Sequence, residues 1–345
     1  MDFSAIESVL VVKPSSLGDV VHTLPAVALL RRQFPDLRIG WVVNETWAPV
    51  LRGSGVVDGV VEFPRERFRG AGGFLGMWRW IRGLRDLRPD LALDFQGLFR
   101  SVWMARASRA GELAGLEDGR EGSRWCYDEV VAVPDGAVHS VDRYLALVAA
   151  GGVEVPGGKE GLEFPLPEGD EPSDASELPE GYVLFHPVSR GEGKSMPGDQ
   201  VKRFCEVVGP ERVVLVGRQA VSGESGEWDL PPGVVNWMDS TSLGELIWLV
   251  RRAGVVVTVD SGPMHLAAAV SERVIGIHTW TDPRKVGPYR PGCLVWKAGQ
   301  VRPVGALAGD DAALVESRGD RRWVLTVTDV EAIASAAMGV GPTRG

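Results

Sequence analysis

Apolar residues recur along the chain in short, largely β-branched runs, each followed by a turn and then by residues at helical spacing. The first run, 9–12, is apolar on both faces, the pattern of a strand covered by helices on either side. Residues 13–18 form the turn, and helical periodicity follows, strongest over 25–34 and ending at Phe34-Pro35. Further strand patterns lie at 37–43, 57–63, 90–95 and 127–133, with helical stretches around 46–52, 74–87, 98–108 and 139–150. Strands alternating with helices read as βαβ units, hence a parallel sheet. Between 153 and 181 the rhythm breaks into Pro, Gly and acidic residues, which predicts an exposed linker or domain edge.

The alternation then restarts. Strands are expected at 182–189, 212–217, 234–239 and 273–280, with a helix over 199–208. A second helix over 241–254 opens on Ser242 with Glu245 three residues on, a capping box, and Gly254 closes it. "VVVTVDSGPMHLAAAV" (255–270) reads as strand, small-residue turn and helix. The pattern predicts an α/β protein of two doubly wound parallel-sheet domains facing a cleft, 1–165 and 180–327.

Length agrees with this division, since 345 residues exceed the usual size of one domain. The net charge of −9 argues against a general nucleic-acid binder, though a local basic cleft is compatible with it. Cys126, Cys205 and Cys293 lie far apart with no CxxC, which fits scattered thiols in a reducing compartment. Asp2 and Glu7 precede an immediate strand pattern, so no signal peptide is expected. No run of 18 uncharged apolar residues occurs, which excludes a spanning helix but not attachment to a membrane surface. G-x-x-x-x-G-K-[ST] and a G-x-G-x-x-G after the first strand are both missing, which disfavours a P-loop ATPase and a standard nicotinamide enzyme. Without H-E-x-x-H or a His/Cys cluster, no built-in catalytic metal is expected.

Three segments carry candidate chemistry. Asp19 follows Pro-Ser-Ser-Leu-Gly at the mouth of the first strand, where ligands of open parallel sheets bind. It is either a helix-capping carboxylate or a reactive group presented to a ligand. Asp260 likewise ends an apolar strand; Ser261 and Gly262 turn the chain, and Pro263 suits a first helical turn. Such a helix start can hold a phosphate, or be no more than a well-formed cap over a buried His265. In "FHPVSRGEGKSMPGDQVKRF" (185–204), His186, Ser189, Arg190 and Lys194 follow a strand end. Hydroxyls and an ammonium suit a diphosphate, and the alternative is a solvated basic loop. A fourth stretch, 63–88, mixes Arg65, Arg67, Arg69, Arg79, Arg82, Arg85 and Arg88 with Phe68, Phe74, Trp78 and Trp80. That mixture suits an anionic, partly apolar surface, or a helix whose arginines are simply solvated.

"KPSSLGDVVHTLPA" (13–26), "WVVNETWAPVL" (41–51), "ALDFQGLFRSVWMAR" (92–106), "HSVDRYL" (139–145), "FHPVSRGEGKSMP" (185–197) and "DSGPMHLAAAV" (260–270) resemble the lipopolysaccharide heptosyltransferases of glycosyltransferase family 9. The fragments stand in family order over about 260 residues. The loop before Asp19 is similar to the Ser-Ser-x-Gly-Asp of heptosyltransferase I. The resemblance implies a GT-B fold of two Rossmann-like domains, with a C-terminal helix at about 328–340 that packs back on the first. It implies an inverting, metal-independent transfer of heptose from ADP-heptose, with no cofactor, to an anionic lipid-linked saccharide of the lipopolysaccharide inner core (Kdo-lipid A or heptosyl-Kdo-lipid A). The enzyme would be cytoplasmic, peripherally bound to the inner membrane, with no nucleic-acid partner.

Residue by residue, the resemblance makes Asp19 the base for the acceptor hydroxyl and Lys194 the cation that offsets charge on the leaving ADP. Donor contacts fall on Ser189, Arg190, Asp260, Ser261, Gly262, Met264 and His265, with Glu224 toward the ribose. Acceptor contacts fall on Ser15, Ser16, Gly18, Glu45, Gln96, Arg100 and Arg143. The sequence departs from the family in three places, one of them a spacer before Lys194 about one residue longer than in heptosyltransferase I. Gln96-Gly97-Leu98-Phe99-Arg100-Ser101 has arginine where lysine is common, and "GRQAVSGESGEWD" (217–229) departs from the family's nucleotide loop. A related transferase using another nucleotide sugar, a GT-B-like epimerase and an inactive sugar-nucleotide-binding protein remain as alternatives.

Overall fold

The first apolar run becomes the middle of a six-stranded sheet in a computed structural model, which describes residues 1–68, 73–221 and 228–339. The chain divides into two units, Met1–Pro167 and Glu168–Gly345. In chain order the first unit contains β1 (Ser8–Val12), α1 (Leu17–Gln33), β2 (Arg38–Asn44), β3 (Gly59–Phe63), α2 (Gly73–Leu87), β4 (Leu91–Asp94), α3 (Phe99–Ala107), β5 (Glu112–Leu116), β6 (Glu129–Val131) and α4 (Ser140–Ala149). The strands are ordered β3-β2-β1-β4-β5-β6, and every pairing is parallel. That is the order of a Rossmann-type sheet, whose topological switch lies between its first and fourth strands. Val12 sits in register with Val42 on one side and Asp94 on the other, so the residues after β1 and β4 emerge side by side at the switch.

Helix α1 begins at Leu17, inside the turn expected at 13–18, and carries Pro25 inside it. The expected helix at 46–52 is a 3-10 segment, Glu45–Val50, opened by the Asn44 side chain accepting from Thr46 N–H. Strand β5 was not expected. Its Gly115 lies where a Cβ would stand 2.3 Å from the Tyr127 ring, so close packing, not an apolar run, marks this strand.

The second unit contains β7 (Val183–His186), α5 (Gly198–Val208), β8 (Val213–Gly217), β9 (Val235–Met238), α6 (Leu243–Arg252), β10 (Val255–Val259), α7 (Gly262–Val270), β11 (Val274–Ile277), α8 (Pro283–Val286), β12 (Leu294–Lys297), β13 (Gln300–Pro303) and α9 (Val327–Gly339). Its sheet runs β13-β12-β11-β10-β7-β8-β9, the same winding with one antiparallel edge strand added. Alternate residues of the central strands enter different layers: Phe185, Val257 and Ile277 lie in one core cluster, Leu184 and Val256 in the other. Burial on both faces explains why these strands read as uninterrupted apolar runs. The capping box of α6 forms as expected, with Ser242 N–H donating to Glu245 Oε2 (2.7 Å) and Glu245 N–H to Ser242 Oγ (3.1 Å).

Two expectations meet different placements. The acidic span 153–181 is not wholly exposed: Leu162, Phe164 and Leu166 alternate into the interior, which draws that part of the chain onto the first unit. The C-terminal helix was expected on the first domain. Val330, Ile333, Ala334 and Ala337 of α9 lie instead in the core of the second unit with Phe204 and Cys205 of α5. No described helix is long and apolar enough to cross a membrane.

Candidate active site

At the switch of the first unit, the strand β1 is followed by Lys13, a buried ammonium only 2% exposed. Lys13 Nζ donates to Phe95 O (2.9 Å), at the end of β4, and to Tyr144 Oη (2.6 Å) on α4. Burial pushes the Lys13 pKa down, and the charges of Asp19 and Asp94 oppose that shift. Tyr144 in turn donates to Asp19 Oδ1 (3.4 Å), and Lys13 Nζ stands 3.8 Å from the same oxygen. The other carboxylate oxygen, Oδ2, accepts from Ser16 N–H (2.9 Å) and Ser16 Oγ–H (2.8 Å), which closes the start of α1. Asp19 is therefore both a helix-start carboxylate and a cavity group, with one oxygen for each.

The cavity, about 360 Å³, is lined by Lys13, Asp19, Gln96, Arg120, Arg143 and Tyr144 among others. Of the expected acceptor residues, the structure brings Gln96 and Arg143 into it beside Asp19. Gln96 Oε1 accepts from Ser15 N–H (3.2 Å), and Arg143 pairs with Asp118. Gly18 is buried in α1 and Ser16 is spent on Asp19. Glu45 forms an ion pair with Arg67 (3.1 Å), and Arg100 lies in the first turn of α3 with its Nε buried. Neither Glu45 nor Arg100 is among the cavity-lining residues. Asp94 is saturated: it accepts from Gln96 N–H, Gly97 N–H, Ser101 Oγ–H and Tyr127 Oη–H at 2.9–3.1 Å. Burial raises its pKa against those four hydrogen bonds.

The second unit places another lysine–aspartate pair at the equivalent position. At its own switch, β7 and β10 run in register from Val183↔Val255 to His186↔Thr258, so the loops after them emerge together. Lys194 Nζ donates to Asp260 Oδ2 (2.6 Å), and that oxygen also accepts from Thr281 Oγ1–H (2.7 Å). Burial opposes ionisation of Asp260, but His278, Lys194 and the hydrogen bonds from Lys194 and Thr281 hold its carboxyl below the usual range. Burial also pushes His278 down to about 4, so it is neutral at pH 7 and Lys194 is the counter-ion there. Ser189 Oγ–H donates to Asp260 O (3.2 Å), and Ser261 Oγ lies 3.4 Å from His186 Nδ1. Pro263 occupies the first turn of α7, as expected.

Other expected donor residues stand apart. Arg190 is exposed and His265 is buried on α7. Met264 is fully buried, its amide donates to Ser261 O (3.1 Å) and its side chain belongs to the core, so its thioether has no route to a ligand. Glu224 lies outside the described residues. Sequence reasoning missed Lys13, Tyr144 and the loop 278–281; a local signal existed for Lys13, a charge directly after a buried strand. Among the described residues, no group of three or more His, Cys, Asp or Glu side chains is arranged to hold a metal ion.

The chain has counterparts among known proteins. Lipopolysaccharide heptosyltransferase 1 of Pseudomonas aeruginosa is 30% identical, over 81% of this chain and 81% of its own. The structure of the E. coli heptosyltransferase WaaC with ADP superposes with a TM-score of 0.71 at 22% identity, covering 96% of this chain and 99% of that one. WaaC with ADP-2-deoxy-2-fluoro heptose gives 0.69 at 24% identity, covering 84% and 93%. These neighbours share the GT-B fold of two Rossmann-like units. Residues 77–300 match glycosyltransferase family 9 (heptosyltransferase), and with that match and the identity to the Pseudomonas protein, the chain belongs to this glycosyltransferase family.

Proposed function

We propose that the protein transfers heptose from ADP-heptose to an anionic lipid-linked saccharide of the lipopolysaccharide inner core, with inversion at the anomeric carbon. The observation that carries this reading is the Lys194–Asp260 pair beside the N-terminal end of α7. An ammonium has three N–H donors and Asp260 takes one, which leaves two for a diphosphate. The helix start adds positive potential at the same place. ADP names the nucleotide in the neighbouring WaaC structures, and lipopolysaccharide names the glycan of the Pseudomonas relative.

In this reading the acceptor hydroxyl gives its proton to Asp19 Oδ1 while its oxygen attacks the anomeric carbon. The bond from that carbon to the β-phosphate oxygen breaks, and its electron pair leaves with ADP. A carboxylate of ordinary pKa near 3.9 is a weak base, so the proton moves late, once the attacking oxygen has become acidic. Lys194 and the amides at the start of α7 stabilise the charge that develops on the diphosphate. Ser189, Asp260 and Ser261 orient the donor; Gln96 and Arg143 receive the acceptor. Because Lys194 supplies the compensating charge, the reaction needs no metal. The protein works in the cytoplasm at the inner-membrane surface, where its lipid-linked acceptor lies.

The experiment is a donor panel in EDTA: purified protein with Kdo-lipid A, following nucleotide release and sugar transfer. ADP-heptose is expected to be consumed without divalent metal. Consumption of UDP- or GDP-sugars with ADP-heptose ignored contradicts the donor; activity only after magnesium is added contradicts the metal-free step.

A further inference from the structure

The loop that follows β11 holds the Lys194 segment at several points. Thr279 Oγ1–H donates to Gly193 O (2.9 Å) and Trp280 Nε1–H to Glu192 O (3.2 Å), the two carbonyls just ahead of Lys194. The next residue, Thr281, reaches Asp260, the carboxylate that pairs with Lys194. The Lys194 ammonium itself lies over the Trp280 ring, 4.6 Å from its centroid. The loop is pinned in turn: Ser317 N–H donates to Trp280 O and Trp323 N–H to Thr279 O, both at 2.8 Å. The Arg318 guanidinium also lies 4.6 Å from the Trp280 centroid. Trp280 thus combines a fixed backbone with a ring face and an N–H, both directed at the Lys194 segment.

We propose that Trp280 is the positioning residue of Lys194, holding its ammonium where the leaving diphosphate is met. The proposal rests on the reading of Lys194 as the donor's cation. Lysine is a point charge on a flexible four-carbon stem, and ordering it on binding costs affinity. A tryptophan face attracts the ammonium by its quadrupole and needs no second carboxylate, which would compete with the phosphates for the charge. Its indole N–H fixes the backbone from which that stem starts.

ADP calorimetry and donor kinetics on the full chain test this with W280L, W280F, K194A and W280L/K194A, each checked by a melting curve. W280L is expected to weaken ADP binding about tenfold, the scale of a lost cation–π contact, while W280F recovers to within about threefold because a ring face remains. In the K194A background, W280L is expected to change ADP affinity by less than about twofold, since residues acting through one contact are not additive. Wild-type affinity in W280L, or the same loss with and without Lys194, overturns the proposal. K194A binding ADP like the parent contradicts the donor-site reading itself. If W280L does not fold, W280M, which keeps most of the bulk and removes the ring face over Lys194, enters the same cycle. An ADP loss confined to the Lys194-containing background supports the proposal, and any other result overturns it.

Discussion

Asp19 divides its two oxygens between the start of α1 and the cavity, one accepting from Ser16 and the other turned to Lys13 and Tyr144. Its position after an apolar strand made it legible in the sequence, as did the same position for Lys194 and Asp260. Tyr144 was not legible: it meets Lys13 across 131 residues and stands in α4 as one more helix-face residue. Trp280 was hidden in the same way, since contacts made through folding leave no local pattern. A pH prediction belongs at this scale. His186 and His278 are both held at about 4 by burial, against an ordinary value of 6.5. The unfolded chain therefore binds more protons between pH 4 and 6.5, so stability is full above 6.5 and falls as pH drops toward 4. Each histidine contributes on the order of 3 kcal/mol to that fall. Melting curves from pH 7 to pH 4.5 should show the loss, and H186N and H278N should each flatten it. An unchanged melting temperature across that range contradicts the burial of neutral imidazoles.

Elements with strong local signals formed where the pattern put them: the buried strands, the boxed helix α6 and the proline-led α7. Those held by packing did not announce themselves. Besides β5, the strands β12 and β13 were missed; β12 ends in the buried pair Trp296 and Lys297, where a strand pattern would place a solvated lysine. The basic helix α2 shows how far composition goes. Trp80 and Phe68 pack their rings at a tilt against Phe63 and serve folding, and Arg69 lies outside the described residues. Phe74, Leu75 and Trp78 remain 51–74% exposed, with Arg79, Arg82 and Arg85 exposed beside them. Such a face is suited to an anionic bilayer surface, with the aromatic residues at the headgroup level. Sedimentation with anionic vesicles should carry the wild type down and leave R79E/R82E/R85E in the supernatant. Equal partitioning of the two assigns the arginines to solvation alone.

At the scale of the molecule, one winding is used twice, and each copy places its polar residues at the carboxyl ends of its first and fourth strands. The first copy presents a carboxylate backed by a buried lysine and tyrosine; the second presents a lysine beside a helix start. The repeated βαβ rhythm made this architecture legible, whereas the antiparallel edge and the docking of α9 depend on long-range packing that no local pattern encodes. In the proposed function, donor binding falls to the second unit and proton removal to the first. D19N tests that division most directly, because it keeps the size of the side chain and an oxygen to accept from Ser16 while removing the proton acceptor. With saturating ADP-heptose and Kdo-lipid A, kcat should fall at least about 100-fold, within the range typical of a lost general base, while ADP affinity and the folded state are retained. A D19N enzyme that folds, binds ADP and turns over within about fivefold of wild type, far short of a general base's usual worth, would leave Asp19 as a helix cap and contradict the account.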